Sequence, residues 1–466
     1  MIKPQESVQL PRVLGLTSGI MLVAGIMIGS GIFKKIVPMA ASGLNAEYII
    51  GAWIVAGIVT MLGALTVSSL AGLTTESGGE YEYLRLMFGN FTAFLFGWSS
   101  FMIIGSASIA AMGFILVQSL NAIIAIPDPL HHLKDVNLGD VIYPFADSGI
   151  KLIAVVFIML LTWINCRGTK KGAGLNNVLT YAKITGIVLI IIAGLSLGTA
   201  TTATEQTIQT NNTGQGIGSL FFAAMLSAFW AYDGWLNVSF VTGEIKNPAR
   251  NVPRAIISGV GLVMALYIMV NIAYLKALPL QTIAEMGENQ IVASEMISSV
   301  MGNRWIVVIN LLIFLSVLGS LNGIILTYAR LYFKMANDQL FFPSLGKIHP
   351  RLLTPQNALI ASMLVSCVLV FSGTFDMLTD MIIFAGFLFY ALLAVGLIKL
   401  YRQGKIRQKP WGYPIVPVLF ILFSVLLLIN TIITQPKQTL MGLLMLLLGI
   451  PLYFYFKKRR AKIQAK

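Results

Sequence analysis

Apolar residues in this chain fall into long runs that are almost free of charged side chains. An apolar run of about 18 residues or more can cross a bilayer as a helix. The runs do not alternate as strands would, and lipid tolerates only helices or closed barrels. The pattern therefore predicts an all-α polytopic membrane protein whose twelve transmembrane helices cover approximately residues 13–41, 48–72, 91–125, 149–166, 176–198, 217–241, 255–278, 304–336, 356–372, 375–400, 414–434 and 439–456.

The composition agrees with this pattern. Apolar residues make up 57% of the 466 residues and charged residues only 11%, against about 25% charged residues in an ordinary soluble domain. These values exclude a soluble enzyme and a disordered chain. The two cysteines, Cys166 and Cys367, give no disulfide framework, and the three histidines have no metal-ligand spacing. We therefore expect no metal and no cofactor.

The basic residues are distributed unevenly between the two sides of the predicted membrane protein. The formal net charge is +14, but the Lys and Arg residues lie in short loops between apolar runs, so the charge does not indicate nucleic-acid binding. With the N-terminus inside, the inner loops and termini hold 24 of the 32 Lys and Arg residues and the outer loops hold 7. The bias predicts a multi-pass protein of the cell membrane (plasma or inner) with both termini cytoplasmic.

Two predicted helices are interrupted in mid-run. Segment 1 contains Gly29-Ser30-Gly31, and segment 6 contains the run from Trp230 to Trp235. They lie five helices apart, so they cross the membrane in opposite directions. Interrupted helices at corresponding places in two inverted halves indicate a transporter binding site. We expect one transporter domain over residues 1–466, with helices 1–5 in residues 1–200, helices 6–10 in 217–400, and helices 11 and 12 in 414–456.

The glycine-rich interruption in segment 1 suits an anionic group. Glycine adopts the backbone angles that a helix break needs and leaves N–H groups accessible. A half-helix that begins there points the positive end of its dipole at a carboxylate. The alternative is close helix packing, because Gly15/Gly19 and Gly25/Gly29 have the spacing of small-residue packing motifs.

The interruption in segment 6 suits a cationic group. Asp233 is the one acidic residue inside that apolar span, and a charged residue inside a membrane segment indicates function. The outer half of helix 6 ends near Trp230 with unpaired carbonyl groups, which suit an ammonium group. The two interruptions together predict a site for a zwitterionic α-amino acid, with Trp230 as a lid. The alternative for Asp233 is a structural residue that accepts hydrogen bonds at the helix break.

Lys183 lies inside the apolar run of helix 5. Its ammonium group would take the place of a coupling cation, or Lys183 would carry a proton. The alternative is that its long stem reaches the cytoplasmic face.

These motifs resemble the amino acid–polyamine–organocation superfamily, and within it the L-type amino-acid transporter (LAT-like) branch. The resemblance covers nearly the whole chain. It rests on Gly29-Ser30-Gly31-Ile32-Phe33, Gly78-Gly79-Glu80-Tyr81, Asn165-Cys166, Tyr181-Ala182-Lys183, Ala231-Tyr232-Asp233-Gly234-Trp235, Val241-Thr242-Gly243-Glu244, Asn251-Val252-Pro253-Arg254-Ala255, Asn271, Ala273, Tyr274, Gly319-Ser320-Leu321-Asn322-Gly323 and His349-Pro350.

The resemblance implies a fold, an activity and a set of site residues. The fold is the LeuT-type 5+5 inverted repeat with two further C-terminal helices. The activity is sodium-independent exchange of neutral L-amino acids by alternating access. Trp230 stands where the family usually has a gating phenylalanine, and Lys183, with Tyr274 and Ser320 nearby, replaces a sodium ion. The implied substrate-binding residues are Ile28, Gly29, Ser30, Gly31, Ile32, Phe229, Trp230, Ala231, Asp233 and Gly234.

Two departures and two alternatives complete the sequence-based account. Lys34-Lys35 is unusually basic and would attract substrate carboxylates from an outer vestibule. The loop between helices 3 and 4 lacks the cysteine that links animal heteromeric members to a glycoprotein, so we expect no disulfide-linked ancillary subunit. A proton-coupled amino-acid symporter is the second hypothesis. An ion channel or a membrane-embedded enzyme is a remote third, because neither a charged pore nor a catalytic constellation is evident.

Overall fold

The computed structural model describes residues 14–70, 78–138, 142–168, 172–199, 216–287, 289–406 and 409–464. These residues form nineteen α-helices and contain no β-strand. The first nine helices are α1 (Leu16–Met27), α2 (Gly31–Lys34), α3 (Ile36–Ala41), α4 (Ala46–Ser68), α5 (Gly79–Phe88), α6 (Asn90–Ser99), α7 (Gly105–Asn121), α8 (Ser148–Cys166) and α9 (Gly172–Leu197). The other ten are α10 (Ile217–Tyr232), α11 (Pro248–Ala277), α12 (Leu280–Ala284), α13 (Val292–Met301), α14 (Ile306–Asn337), α15 (Gln356–Ser372), α16 (Phe375–Arg402), α17 (Ile415–Thr434), α18 (Pro436–Leu447) and α19 (Gly449–Gln464).

Ten helical stretches of the described residues are long and apolar enough to cross a membrane. The predicted segments 6 and 9 are not among the ten, because α10 ends after 16 residues and α15 after 17. The prediction of an all-α polytopic membrane protein is confirmed at this level. The early end of α10 at Tyr232 agrees with the predicted interruption of segment 6 near Trp230, and the apolar run continues to residue 241 in a different backbone conformation.

The stretch Asn90–Asn121 forms the centre of the bundle. Within its most apolar window 94% of residues are buried, against 28% for the peripheral span Ile415–Thr434. It joins α6 to α7 through a π-helical turn at Ser100–Ile104 and packs on α14, α15 and α16. The contact with α14 brings Ser108 and Met112 of α7 toward the interrupted helices.

The first interruption separates α1 from α2 at residues 28–30. Ile28 leaves the helical region with ψ 81°, and its N–H group still donates to the Ala24 carbonyl. The Gly29 N–H group donates to the Met27 carbonyl at 2.8 Å, which turns the chain before α2 begins at Gly31.

The second interruption follows α10. Asp233 is extended, with φ −69° and ψ 162°. Gly234 has φ +92°, a left-handed conformation that favours glycine. The chain continues as a 3-10 helix over Asn237–Glu244.

The two interruptions lie side by side. A Cβ atom added to Gly31 would stand 2.6 Å from the Cα atom of Ala231, closer than real side chains approach.

The helix bundle has two ends, which we name after helices that lie there. The α3 end contains α3, α12 and the start of α16, and the α5 end contains α5, the 3-10 helix Asn237–Glu244 and the end of α14.

Candidate functional site

A small cavity lies where the two interrupted helices meet α7 and α14. Its lining combines backbone of the interruptions with polar and apolar side chains from the two packed helices. The lining residues are Ile26, Met27, Ser30, Gly31, Ser108, Met112, Trp230, Asp233, Gly234, Asn237, Ile324 and Tyr328.

The structure brings part of the sequence-predicted binding set to this cavity. Ser30, Gly31, Trp230, Asp233 and Gly234 line it directly. The remaining five residues lie in or beside the same interruptions but do not line the cavity: Ile28, Gly29, Ile32, Phe229 and Ala231.

Phe229 turns its side chain away from the cavity. The centroid of its ring lies 4.5 Å from the ring centroid of Phe387 and 5.7 Å from that of Phe423. Its backbone carbonyl remains in the last turn of α10, where helix carbonyl groups lack a following turn to bond to. A contribution of Phe229 to ligand binding would therefore come from the backbone.

Trp230 connects the two interruptions through its side chain. The indole Nε1–H group donates to Ser30 Oγ at 3.3 Å. The ring edge also packs on Phe375 at the start of α16, with centroids 6.1 Å apart and planes at 82°. The indole thus covers the break in the first membrane span.

Asp233 is held at the break by a tyrosine of α16. The Tyr390 hydroxyl donates to Asp233 Oδ1 at 2.8 Å. The carboxylate is partly buried and lines the cavity, and its second oxygen is not used in this contact. An acidic group at the carbonyl end of a helix suits a cationic part of a ligand.

Lys183 points into the protein rather than toward either membrane face. Its ammonium group donates to the Gly25 carbonyl at 2.8 Å, to the Ile28 carbonyl at 3.4 Å and to Ser320 Oγ at 2.6 Å. Only 5% of the residue is exposed. Lys183 therefore places a positive charge on the carbonyl end of α1, where the helix dipole is negative.

Ser320 contributes to the same arrangement, whereas Tyr274 does not hydrogen-bond to it. Ser320 Oγ lies 3.1 Å from both the Gly25 and the Ile28 carbonyl oxygens. The buried Tyr274 hydroxyl has no hydrogen-bond partner within the described residues. Tyr267, earlier on α11, donates instead to the Met27 carbonyl at 2.7 Å.

Sequence reasoning missed the residues that reach the site from other helices. Ser108, Met112, Ile324, Tyr328 and Tyr390 come from α7, α14 and α16. Small, apolar and aromatic residues of these kinds occur in most membrane spans, so no local signal in the sequence marks these five. Asn237 is the exception, since it is a polar residue four positions after Asp233 in an apolar run.

The groups that line the cavity are polar and apolar, a combination that can hold a small molecule. Within the described ranges, no group of three or more His, Cys, Asp or Glu side chains could hold a metal ion. Backbone groups of the two interruptions and the Asp233 carboxylate line the cavity, whereas the Lys183 ammonium group lies outside it on the carbonyl groups of α1.

The chain is similar to known proteins along nearly its whole length. The family model described as "Amino acid permease" matches residues 14–455. The serine/threonine exchanger SteT of Bacillus subtilis is 32% identical, with 97% of this chain and 98% of that protein covered. The b(0,+)-type amino acid transporter 1 of Homo sapiens is 32% identical, with 98% of this chain and 90% of that protein covered. The large neutral amino acids transporter small subunit 2 of Oryctolagus cuniculus is 29% identical, with 96% of this chain and 81% of that protein covered.

Proposed function

The chain belongs to the amino acid permease family, as its motifs predicted, and we propose that it exchanges neutral L-amino acids across the membrane without sodium. Its relatives are named as transporters or exchangers and not as enzymes, so transport is its activity. The mode of coupling and the substrate class are the proposed parts.

The observation that carries the proposal is the position of the Lys183 ammonium group. It bonds to the Gly25 carbonyl at 2.8 Å and to Ser320 Oγ at 2.6 Å, at the carbonyl end of α1. A cation at this position neutralises the end of the helix and fixes the shape of the break. Because the cation is a side chain, it stays with the protein, and no sodium gradient is needed or used. In the proposed cycle the protein returns to its starting state with a second substrate bound, which makes the transport an exchange.

The substrate would lie between the two interruptions. Its carboxylate would meet the N–H groups of Ser30 and Gly31 and the hydroxyl of Ser30, whereas Gly29, whose N–H group donates to the Met27 carbonyl, would shape the turn. Ile28 and Ile32 would flank this segment. Its ammonium group would meet the carbonyl groups of the last turn of α10, at Phe229, Trp230 and Ala231, together with Asp233 and Gly234. The uncharged side chain would lie against Trp230, Met112 and Ile324, which line the cavity. Gly31 and Ala231 are too close for any bulkier residue at position 31.

The proposed architecture follows the same assignment. The short helices α10 and α15 would be the sixth and ninth of twelve membrane crossings. The first five crossings and the next five would form two inverted halves, and the stretches Ile415–Thr434 and Pro436–Lys462 would be the last two crossings. The bias of basic residues supports an orientation with the α5 end and both termini in the cytoplasm and the α3 end outside. Access would alternate by rocking of the interrupted helices and their partners against the rest.

The transporter would work without a covalently attached subunit. Cys166 is buried and Cys367 is partly buried, and the chain has only these two cysteines. Neither lies in the loop between α7 and α8. The substrate and the lipid bilayer are the only partners that the proposal needs.

A proton-coupled symporter is the alternative that has a specific observation in its favour. Asp233 and Lys183 are both ionisable and lie within or beside the site, as a proton carrier would. Uptake of a labelled neutral amino acid into proteoliposomes distinguishes the two. Uptake that needs internal amino acid and ignores an imposed pH gradient supports exchange. Uptake into empty vesicles that reverses direction with the pH gradient supports symport and contradicts exchange.

A further inference from the structure

Two adjacent lysines at the α3 end are buried. Lys34 is the last residue of α2, the short helix after the break, and Lys35 follows it; their exposed fractions are 2% and 0%. Burying a charged group is unfavourable unless its partners replace the lost water. The partners of these two lysines therefore indicate what the pair does. They do not face an open vestibule, contrary to the expectation from the sequence.

Lys35 joins the first span to the start of α16. Its ammonium group lies 2.6 Å from Asp376 Oδ1 and 2.6 Å from Thr379 Oγ1. Asp380 Oδ1 is a further carboxylate oxygen at 3.9 Å. The Asp376 side chain is 37% exposed, so water can reach this ion pair from the α3 end. Movement of Lys35 away from the first turn of α16 would break all of these contacts at once.

Lys34 points in another direction and joins the first span to α7. Its ammonium group donates to Gln118 Oε1 at 3.1 Å. The amide of Gln118 in turn donates to Asn289 Oδ1 at 3.0 Å, and the amide of Asn289 donates to Asp147 Oδ1 at 2.9 Å. Lys34 is therefore connected to the segment between α12 and α13 and to the start of α8.

Both lysines meet on one aromatic ring. The ammonium groups of Lys34 and Lys35 lie 5.2 Å and 5.0 Å from the centroid of Phe375, within the range of a cation–π interaction. The Phe375 ring packs edge-on against Trp230, and the Trp230 indole donates to Ser30 in the cavity wall. A continuous set of contacts thus leads from the lysine pair to the cavity.

We propose that Lys34 and Lys35 are positioning residues that hold Phe375, and through it Trp230, over the cavity when the α3 end is closed. The Lys35–Asp376 contact is the one that must separate for a solute to enter from that end. Neither lysine binds the transported solute in this state. The transport consequences rest on the proposed function, whereas access to the cavity does not depend on what is transported.

A purely structural role would have different consequences. Replacing both members of a buried ion pair by uncharged residues is often neutral for stability, whereas removing one member leaves an unpaired charge. A folded Lys35→Met/Asp376→Asn double variant with a wild-type melting temperature would lack the ion pair without misfolding. If the pair only stabilised the fold, access to the cavity would be unchanged in this variant.

Access can be measured by cysteine modification. The background carries Cys166→Ala and Cys367→Ala, and Ser108→Cys, in the cavity wall, reports modification by a membrane-impermeant methanethiosulfonate reagent. The reagent is applied to intact cells and to inverted membrane vesicles, so that the two ends of the bundle are tested separately. The matched control is Lys276→Met, because Lys276 is an exposed lysine in the last turn of α11, directly before α12 of the α3 end.

The proposal predicts a one-sided effect. Lys35→Met and the double variant should raise the modification rate from the α3 end by at least about tenfold, since a charge-assisted contact is lost. Lys35→Arg should restore most of the wild-type rate, and Lys276→Met should not change it. Phe375→Ala should give the same increase, and combining it with Lys35→Met should add little, because both act through the same ring.

Three results would overturn the proposal. The first is a wild-type modification rate in the folded double variant. The second is an equal increase from both ends, which would indicate general loosening. The third is additivity of Lys35→Met with Phe375→Ala, which would separate the lysine from the ring. Failure of the wild-type protein to exchange amino acids would contradict the proposed function instead and would leave these access measurements valid.

Discussion

Lys183 on α9 donates a 2.8 Å hydrogen bond to the carbonyl oxygen of Gly25 on α1. The two residues are 158 positions apart in the chain, and both are buried. The contact places a fixed positive charge at the last turn of α1, immediately before the break that lines the cavity. The shape of the break is therefore coupled to a side chain of another helix.

Substitution of Lys183 tests this coupling. Lys183→Ala should abolish exchange or reduce it by at least about a hundredfold, because the carbonyl groups of Gly25 and Ile28 lose their cationic partner. Exchange in proteoliposomes measures the effect. Lys276→Ala serves as the control, since Lys276 is exposed and lies outside the cavity.

The protein must remain folded for that comparison to be meaningful. Lys183→Ala should be monodisperse in detergent and melt cooperatively, because deleting a buried charge also removes its desolvation cost. Wild-type exchange by folded Lys183→Ala would contradict the role of Lys183 as a cation substitute.

The two glycines of the first interruption should differ in their tolerance of a methyl group. A Cβ atom at Gly31 would stand 2.6 Å from Ala231 Cα, which is backbone and cannot move aside. At Gly29 the nearest atoms belong to the flexible end of Met112. We therefore expect Gly31→Ala to abolish substrate binding and Gly29→Ala to weaken it. Gly29→Val, with a larger branched side chain, should also abolish binding.

Binding to purified protein, by equilibrium dialysis or scintillation proximity, measures these effects. Gly218→Ala is a suitable control, because nothing lies within 4 Å of an added Cβ atom there. Equal binding by Gly31→Ala and the control would mean that the contact between the two interruptions is not needed.

Trp230 should influence which amino acids are accepted. Trp230→Phe keeps an aromatic ring over the cavity but removes the N–H group that donates to Ser30 at 3.3 Å. The cavity also gains space, so larger side chains should be favoured over small ones by several-fold. Competition of unlabelled amino acids against a labelled one measures the preference. Ser30→Ala removes the same hydrogen bond without changing the size of the lid. It also removes a proposed contact with the carboxylate, which all amino acids share, so it should lower the affinity for all of them and leave the preference among them unchanged. A preference profile identical to the wild type in Trp230→Phe would remove the assignment of Trp230 as a lid.

Sequence reasoning located the interruptions because their signals are local. Gly29-Ser30-Gly31 and the polar run after Trp230 stand out within apolar segments, and the structure breaks the helices at residues 28–30 and after Tyr232. A buried lysine in an apolar run is a local signal too, and Lys183 lies beside the first break. The roles of these residues in binding remain predictions.

Long-range partners were not available to the same reasoning. Lys35 and Asp376 are 341 positions apart, and nothing in either segment specifies the other. The sequence therefore suggested an exposed lysine pair, whereas both lysines are buried and Lys35 bonds to the first turn of α16. The same limit applies to the contact between Tyr390 and Asp233. The two residues are 157 positions apart, and they meet only because of how α16 packs beside the end of α10.

Exchange in the absence of sodium is the most direct test of the account. Purified protein is reconstituted into vesicles in sodium-free buffer at equal pH on both sides, and labelled serine and leucine uptake is measured with and without internal unlabelled amino acid. The account predicts rapid uptake only into loaded vesicles, with no further stimulation by external sodium. Equal uptake into empty and loaded vesicles, or uptake that requires sodium, would contradict it.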